Sequence, residues 1–101
     1  MSEAFDIAAL DDVIHGRLRL GIMAYLSGAG TADFNELKAK LHASDGNLSV
    51  HLRKLEEAGY VAIAKSFSQR KPLTRVALTD KGRSAFVAYL DAIEKLLPKH
   101  G

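Results

Sequence analysis

Hydrophobic residues recur at helical spacing along most of the chain, and residues that start or stop helices bound each stretch. They fall at intervals of three and four, the period of a helix with one buried face. A short helical pattern near the N-terminus is followed by a helix over 17–26, which we expect Gly28 and Gly30 to end. The hydrophobic positions of these two segments are Leu10, Val13, Ile14, Leu18, Ile22, Tyr25 and Leu26.

Two further helices are predicted to begin at capping residues. Asp33 can cap a helix, and Glu36 follows it at the spacing of a capping box, so a short helix should run to Leu41. Ser44 is the next N-cap, because its hydroxyl can accept a free N–H of the first turn. The helix after it, over 45–58, has leucines at i, i+4 and i+7, and Gly59 suits the left-handed position that ends a helix. Its hydrophobic stripe is Leu48, Leu52 and Leu55.

The pattern then changes to the alternation of β-strands. Residues 60–67 and 73–78 alternate and are rich in strand-forming side chains, while the polar segment 68–72, which contains a proline, predicts a loop. Thr79 caps a last helix that runs to about Leu97. Two helices joined by a tight turn match a helix-turn-helix, and a hairpin directly after them makes the pattern a winged helix. The predicted fold class is mostly α with a small β-hairpin, an α+β fold.

The length of the chain and the distribution of its charges indicate the number of domains and the kind of partner. A chain of 101 residues, 1–101, is enough for one compact domain. Residues 1–52 carry four Lys and Arg against seven Asp and Glu, whereas residues 53–83 carry eight against three. Such polarisation creates a local positive field whose natural partner is a polyanion. The alternative is a soluble surface on which the charges cluster by chance.

Several classes of protein are excluded or disfavoured. The chain has no cysteine, which excludes disulfides, thiol catalysis and cysteine-ligated zinc. No apolar run approaches the roughly 20 residues that a membrane span needs, so no membrane partner is expected. The N-terminal MSEAFDIAALDD is acidic and lacks the pattern of a secretion signal. We therefore expect a cytoplasmic protein.

The helix over 45–58 carries small and polar residues opposite and beside its leucine stripe. The N-terminal half of a recognition helix enters the major groove of DNA. There Asn47 can contact adenine in bidentate fashion, and Arg53 can neutralise a phosphate or reach a guanine. The alternative is a solvated helix face. The candidate DNA-binding positions of this helix are Ser44, Gly46, Asn47, Ser49, Val50, His51, Arg53 and Lys54.

The hairpin is basic and has no acidic residue between Gly59 and Thr79. Cations on a hairpin can follow the DNA backbone or enter the neighbouring minor groove. Such binding should weaken steeply with salt, because each neutralised phosphate releases counterions. Alternatively, the cations only prevent edge-to-edge strand pairing. The candidate positions are Lys65, Arg70, Lys71 and Arg75.

The last helix has a broader hydrophobic surface than its own core needs, and the N-terminal segment is equally apolar. We expect a homodimer in which about 1–16 and 79–97 contribute the interface. Such a dimer would present two recognition helices to half-sites about one helical turn apart. The alternative is that the last helix packs fully on its own domain. The candidate interface residues are Phe5, Ile7, Leu10, Ile14, Phe86, Tyr89, Leu90, Ile93, Leu96 and Leu97.

Catalytic and metal-binding signals are weak. The four histidines lack metal-ligand spacing, the chain has no phosphate-cradling glycine motif, and no nucleophile has an accompanying base. We therefore expect no enzymatic activity, no metal and no cofactor.

The stretch DGNLSVHLRKLEEAGYV, then a hairpin, then LTDKGRSAFVAYL, resembles winged-helix transcriptional regulators of the MarR/ArsR superfamily. The resemblance extends from about Leu10 to Leu97. It implies a homodimer, a recognition helix in the major groove and a wing beside it. Many ArsR-type members sense metals through cysteines or a C-terminal Asp/His cluster, which this chain lacks. The DNA-contacting positions implied by the resemblance are Asn47, Ser49, His51, Arg53, Lys54, Arg70 and Lys71.

The sequence thus predicts a sequence-specific, dimeric regulator of transcription that binds double-stranded DNA. A first alternative is a winged helix used as a protein-interaction module without DNA binding. A second is an enzyme or a metal sensor. Whether a small-molecule effector exists is left open.

Overall fold

The structure, a computed structural model, describes residues 6–97. A three-residue 3-10 turn at Ile7–Ala9 is followed by four α-helices and three strands in this part of the chain. The sheet is antiparallel with the order β1-β3-β2, so that β3 is its central strand. The elements are α1 (Arg17–Ala29), β1 (Thr31–Asp33), α2 (Phe34–Leu41), α3 (Asp45–Glu57), β2 (Val61–Ser68), β3 (Lys71–Leu78) and α4 (Asp80–Leu96).

The three predicted N-caps are confirmed. The side chains of Asp33, Ser44 and Thr79 each accept a hydrogen bond from the amide three residues on, at 2.7, 3.2 and 2.9 Å. These bonds satisfy amides that the first turn of a helix leaves free. The predicted break at Gly28 is wrong, because α1 continues through it and ends at Gly30, where φ is 81°.

The N-terminal segment is not the predicted helix. One carboxylate oxygen of Asp11 accepts hydrogen bonds from the amides of Val13 and Ile14, at 2.8 and 3.3 Å. Such local bonds compete with helix formation, and a turn results. The other oxygen accepts from the Tyr60 hydroxyl, and this bond, with burial, raises the pKa of Tyr60 to about 12. The segment is therefore fastened to the start of the hairpin.

A strand that the sequence did not predict completes the sheet. β1 pairs antiparallel with β3, with Ala32 opposite Val76 in the core. At three residues β1 is too short to display an alternating pattern. It positions α2 directly, because its last residue, Asp33, is also the cap of that helix.

The hairpin turn is tighter than predicted. β2 and β3 pair from Val61 with Leu78 out to Ser68 with Lys71, which leaves a two-residue turn. The predicted loop over 68–72 is therefore wrong at Pro72, which lies in β3 opposite Phe67. In a two-residue hairpin the closing pair is hydrogen-bonded and the next pair is not, so a missing N–H at Pro72 costs no ladder bond.

A single hydrophobic core joins the helices to one face of the sheet. The leucine stripe of α3 is buried as predicted, with Leu48, Leu52 and Leu55 at 2% exposure or less. Leu10, Ile14, Phe86 and Tyr89, which were predicted for a dimer interface, also lie in this core.

This burial corrects the predicted breadth of the interface. At 8% exposure or less, these four side chains have almost no surface to offer a partner. Ile93 and Leu96 are half-buried against the same core, Ile7, Leu90 and Leu97 remain exposed, and Phe5 lies outside the described residues.

Helix α4 approaches the backbone before β2 closely at Gly82. A Cβ built on this buried glycine would lie 2.1 Å from the carbonyl oxygen of Tyr60. Thr79 fixes the same approach, because its hydroxyl lies 2.6 Å from the Gly59 carbonyl oxygen and 3.0 Å from that of Tyr60. Only glycine permits this packing without a backbone shift.

We expect Gly82→Ala to destabilise the fold by about 2–3 kcal/mol, because α4 must move to accommodate the methyl group. Gly28→Ala is the matched control, since a Cβ there meets nothing within 4 Å. That change should stabilise α1 by up to about 1 kcal/mol through helix propensity. Urea unfolding of both variants measures the difference, and equal stabilities would contradict the close packing of α4.

Candidate nucleic-acid interface

The N-terminal half of α3 is open to solvent. Ser44 caps the helix, and Asp45 in its first turn forms an ion pair with Lys38 of α2, with 2.8 Å between the charged atoms. Both side chains are exposed, so the pair adds little to stability. Seven of the eight positions predicted for this helix and its cap are exposed: Ser44, Gly46, Asn47, Ser49, Val50, Arg53 and Lys54.

His51, the eighth position, is half-buried and hydrogen-bonded within the protein. Its Nδ1 lies 2.8 Å from a guanidinium nitrogen of Arg19 in α1. A guanidinium can only donate, so Nδ1 accepts and the proton of the neutral ring lies on Nε2. Burial lowers the pKa of His51, and the charges of Arg19 and Lys54 lower it further. The ring is thereby held neutral, with Nε2 as a donor.

Arg19 was not predicted as part of this site. Its Nε donates to the carbonyl oxygen of Val13, while its terminal nitrogen binds His51. One side chain therefore connects the N-terminal segment to the recognition helix. Arg19 and His51 are 32 residues apart, and no local pattern in the sequence indicates their contact.

Folding also brings further cations beside the start of α3. A groove of about 690 Å³ lies between the first turns of α1, the end of α2 and the start of α3. Arg17 and Lys40 line it together with Asn47. This group of cations could not be predicted from the charge of the chain, because residues 1–52 carry a net negative charge. The positive surface is thus wider than the basic stretch of the chain.

A second groove, of about 630 Å³, separates α3 from the sheet. Ser49 and Arg53 line it on the helix side, and Lys65 and Thr74 line it on the strand side. Hydroxyl and cationic groups of this kind bind phosphate oxygens. These four groups suit a sugar-phosphate strand, while Phe34, Leu52 and Ile63 make the rest of the lining apolar and Glu56 adds one negative charge.

The four predicted wing cations are all exposed, but they do not share one face. Lys65 lies opposite Thr74 on the face that packs on α3, which we call the inner face. Lys71 and Arg75 lie on the outer face, because their cross-strand partners alternate with those of the inner face. Lys65 therefore faces the groove beside α3, and Arg75 is turned away from it.

The wing tip holds Arg70 in a left-handed backbone conformation. Gln69 and Arg70 have φ of 52° and 67°, the positive values that a type I′ turn requires at both positions. Asparagine and glycine adopt these values most easily, whereas other residues lose about 1–2 kcal/mol each. The two-residue turn therefore places Arg70 at the tip at some cost in backbone energy.

Within residues 6–97, no group of three or more His, Asp or Glu side chains is arranged to hold a metal ion. His15 lies 2.9 Å from the Tyr89 hydroxyl, a contact that fastens the N-terminal segment to α4. In the same part of the chain, no helix has the length and hydrophobicity to cross a bilayer.

Comparison with known proteins decides the family. The winged helix DNA-binding domain model matches residues 18–97. The chain belongs to this family. The match covers all four helices and both strands of the wing, and it confirms the resemblance to winged-helix regulators and the fold class.

Relatives of this winged-helix protein support the same conclusion. An uncharacterized protein of Methanocaldococcus jannaschii is 42% identical over 84 residues, which cover 83% of this chain and 91% of that protein. The structure of a transcriptional regulator homologue from Pyrococcus horikoshii matches with a TM-score of 0.77 at 33% identity, over 81% of each chain.

A third similar structure is reduced AbfR bound to DNA, a protein of Staphylococcus epidermidis. Its TM-score is 0.70 at 26% identity, and the match covers 80% of this chain and 58% of AbfR. The 101-residue chain itself is accordingly a DNA-binding winged-helix regulator with a MarR-like fold.

The lowered pKa of His51 predicts a loss of stability in acid. Below about pH 6.5, the ordinary value for histidine, the unfolded chain binds a proton that the folded ring resists, so folding weakens as the pH falls. His51→Gln, whose amide oxygen can still accept from Arg19, should reduce this loss between pH 7.5 and 5.5. Thermal melts at both pH values measure it.

The control is His42→Asn, at an exposed histidine with φ of 52° that asparagine tolerates. That variant should keep the acid sensitivity of the unmodified protein. If both variants responded alike to pH, the contact between His51 and Arg19 would not be responsible.

Proposed function

We propose that the protein is a sequence-specific, homodimeric regulator of transcription that inserts α3 into the major groove of double-stranded DNA. The observation that carries this proposal is the exposed N-terminal half of α3, bounded on one side by the Arg17 and Lys40 groove and on the other by the Lys65 groove. A solvated helix face alone would not require cations from three other elements around it.

The division of work follows from side-chain chemistry. Asn47 is exposed in the first turn of α3 and can pair with the N6 and N7 of adenine, a contact worth about 1–3 kcal/mol of discrimination. Arg53 and Lys65, facing each other across a groove, suit one phosphate strand. Arg70 and Lys71 at the wing tip suit the backbone or the minor groove beyond it.

A two-fold dimer is supported by the apolar surface that α4 leaves open. Val87 and Leu90 in α4 and Leu97 at its C-cap are 62, 48 and 60% exposed along one stripe in which Glu94 takes the remaining place, and the 3-10 turn with the exposed Ile7 packs against the same helix. A row of large exposed apolar side chains on one helix is typical of an interface. Val87 replaces the buried Phe86 and Tyr89 in the interface that we propose.

Two variants should separate base reading from phosphate binding. Asn47→Ala should reduce the preference for a selected site over random DNA by about tenfold, because one bidentate contact is lost. Arg70→Ala with Lys71→Ala should weaken binding to all duplexes and reduce the salt slope by about two. Anisotropy titrations at several salt concentrations measure both quantities.

The division of work would be contradicted if both variants lost affinity equally on selected and random DNA. If the unmodified protein bound no duplex even at low salt, the protein-interaction alternative would replace DNA binding.

The proposed dimer predicts the effect of a charge on the α4 stripe. Leu90→Glu should convert the protein to a monomer at micromolar concentration, because dimerisation would bury the new carboxylate without a partner. Ala88→Glu is the matched control, since it adds the same charge at an exposed position on the other side of α4. Sedimentation equilibrium measures both, and a dimer that survives Leu90→Glu would contradict this interface.

A further inference from the structure

Phe67 is the most exposed large hydrophobic residue of the described chain, with 77% of its surface accessible. It lies in β2 near the wing tip, directly opposite Pro72 in β3. Alternation places both on the inner face, in line with Lys65 and beyond the groove that separates the sheet from α3. The core does not explain this phenyl ring, because the core ends several residues earlier along the strand.

The charges around Phe67 indicate what it meets. Lys65 lies on the same face of β2, Arg70 lies in the turn and Lys71 begins β3, and the chain has no acidic residue between Gly59 and Thr79. A second copy of the wing, packed ring to ring, would bring these cations against their own counterparts. A polyanion is favoured by the same charges, so nucleic acid is the occupant that this patch fits.

Its distance from the recognition helix also fits a duplex. Ile63 lines the groove beside α3, and Phe67 is four residues further along β2, about 14 Å at 3.4 Å per residue. Adjacent major and minor grooves lie about half a helical turn apart, or about 17 Å. With α3 in the major groove, Phe67 reaches the neighbouring minor groove.

We propose that Phe67, backed by Pro72, is an apolar wedge that enters this minor groove and partly unstacks one base step. The proposal rests on DNA binding by the function proposed above. Phenylalanine and proline are both among the side chains that architectural proteins insert between base steps. Pyrimidine–purine steps open most easily, so the wedge adds a preference for a TA or CA step at a position that α3 does not touch.

The test compares Phe67→Ala with Ser66→Ala in the full chain. Ser66 is also exposed to solvent, but it lies on the outer face of the same strand. The probe is a duplex that the unmodified protein selects from random DNA, with 2-aminopurine placed in turn at each flanking position. This base analogue fluoresces more strongly when it is unstacked.

We expect Phe67→Ala to lower affinity by about tenfold, equivalent to about 1.4 kcal/mol. The salt slope should not change, because no cation is removed. The unmodified protein and Ser66→Ala should both raise the fluorescence at one flanking step per half-site, and Phe67→Ala should abolish that signal. Replacing this step by an A-tract should weaken binding of the unmodified protein but not of Phe67→Ala.

Unchanged affinity and fluorescence in Phe67→Ala would overturn the wedge and leave the proposed function intact. The wedge would also be overturned if Phe67→Ala altered only the oligomeric state in light scattering. An unmodified protein that selects no duplex would instead overturn the proposed function itself. Thermal melts of both variants ensure that a loss of binding does not reflect unfolding.

Discussion

The burial of three leucines on one face of α3 is the constraint on which the rest of the surface depends. Leu48, Leu52 and Leu55 fix the rotation of this helix about its axis, and each contributes about 1.5–3 kcal/mol by leaving water. Because this rotation is fixed, Asn47 and Arg53 face the solvent. The reading surface is thus a consequence of the core and needs no separate stabilisation.

The positive charge around α3 depends on how the helices pack more than on the order of charged residues along the sequence. The excess of basic residues lies in the stretch 53–83, yet α1 and α2 bring Arg17, Arg19 and Lys40 to the start of α3. Arg19 has a second effect, because it binds both the N-terminal segment and His51. Hydrogen bonds of one side chain therefore connect α3 to the N-terminal segment, whose 3-10 turn packs against α4.

Periodic and capped elements were predictable from the sequence because each contains its own signal. Ser44, Asp33 and Thr79 carry their capping oxygens within three residues of the amides they bind. What failed depends on partners distant in sequence. β1 forms because it pairs with β3, and the N-terminal turn adds to the local bonds of Asp11 a bond from the hydroxyl of Tyr60, 49 residues away.

The candidate site follows the same division. The exposed positions of α3 were predictable from the angle to its leucines, whereas the face of each wing residue depends on a register that only the two-residue turn fixes. The width of the hydrophobic surface of α4 did not indicate which of its side chains would be buried in the core of the same domain. Phe86 and Tyr89 face the core because Gly82 lets the helix pack closely there.

Selection of bound duplexes from a random-sequence library by the full-length protein tests the central claim most directly. The account predicts enrichment of a two-fold symmetric site with half-sites about 10 base pairs apart, the spacing of successive major grooves on one face of the duplex. Recovery of no preferred sequence, or of an asymmetric site with a single contact region, would contradict a pair of recognition helices in the major groove.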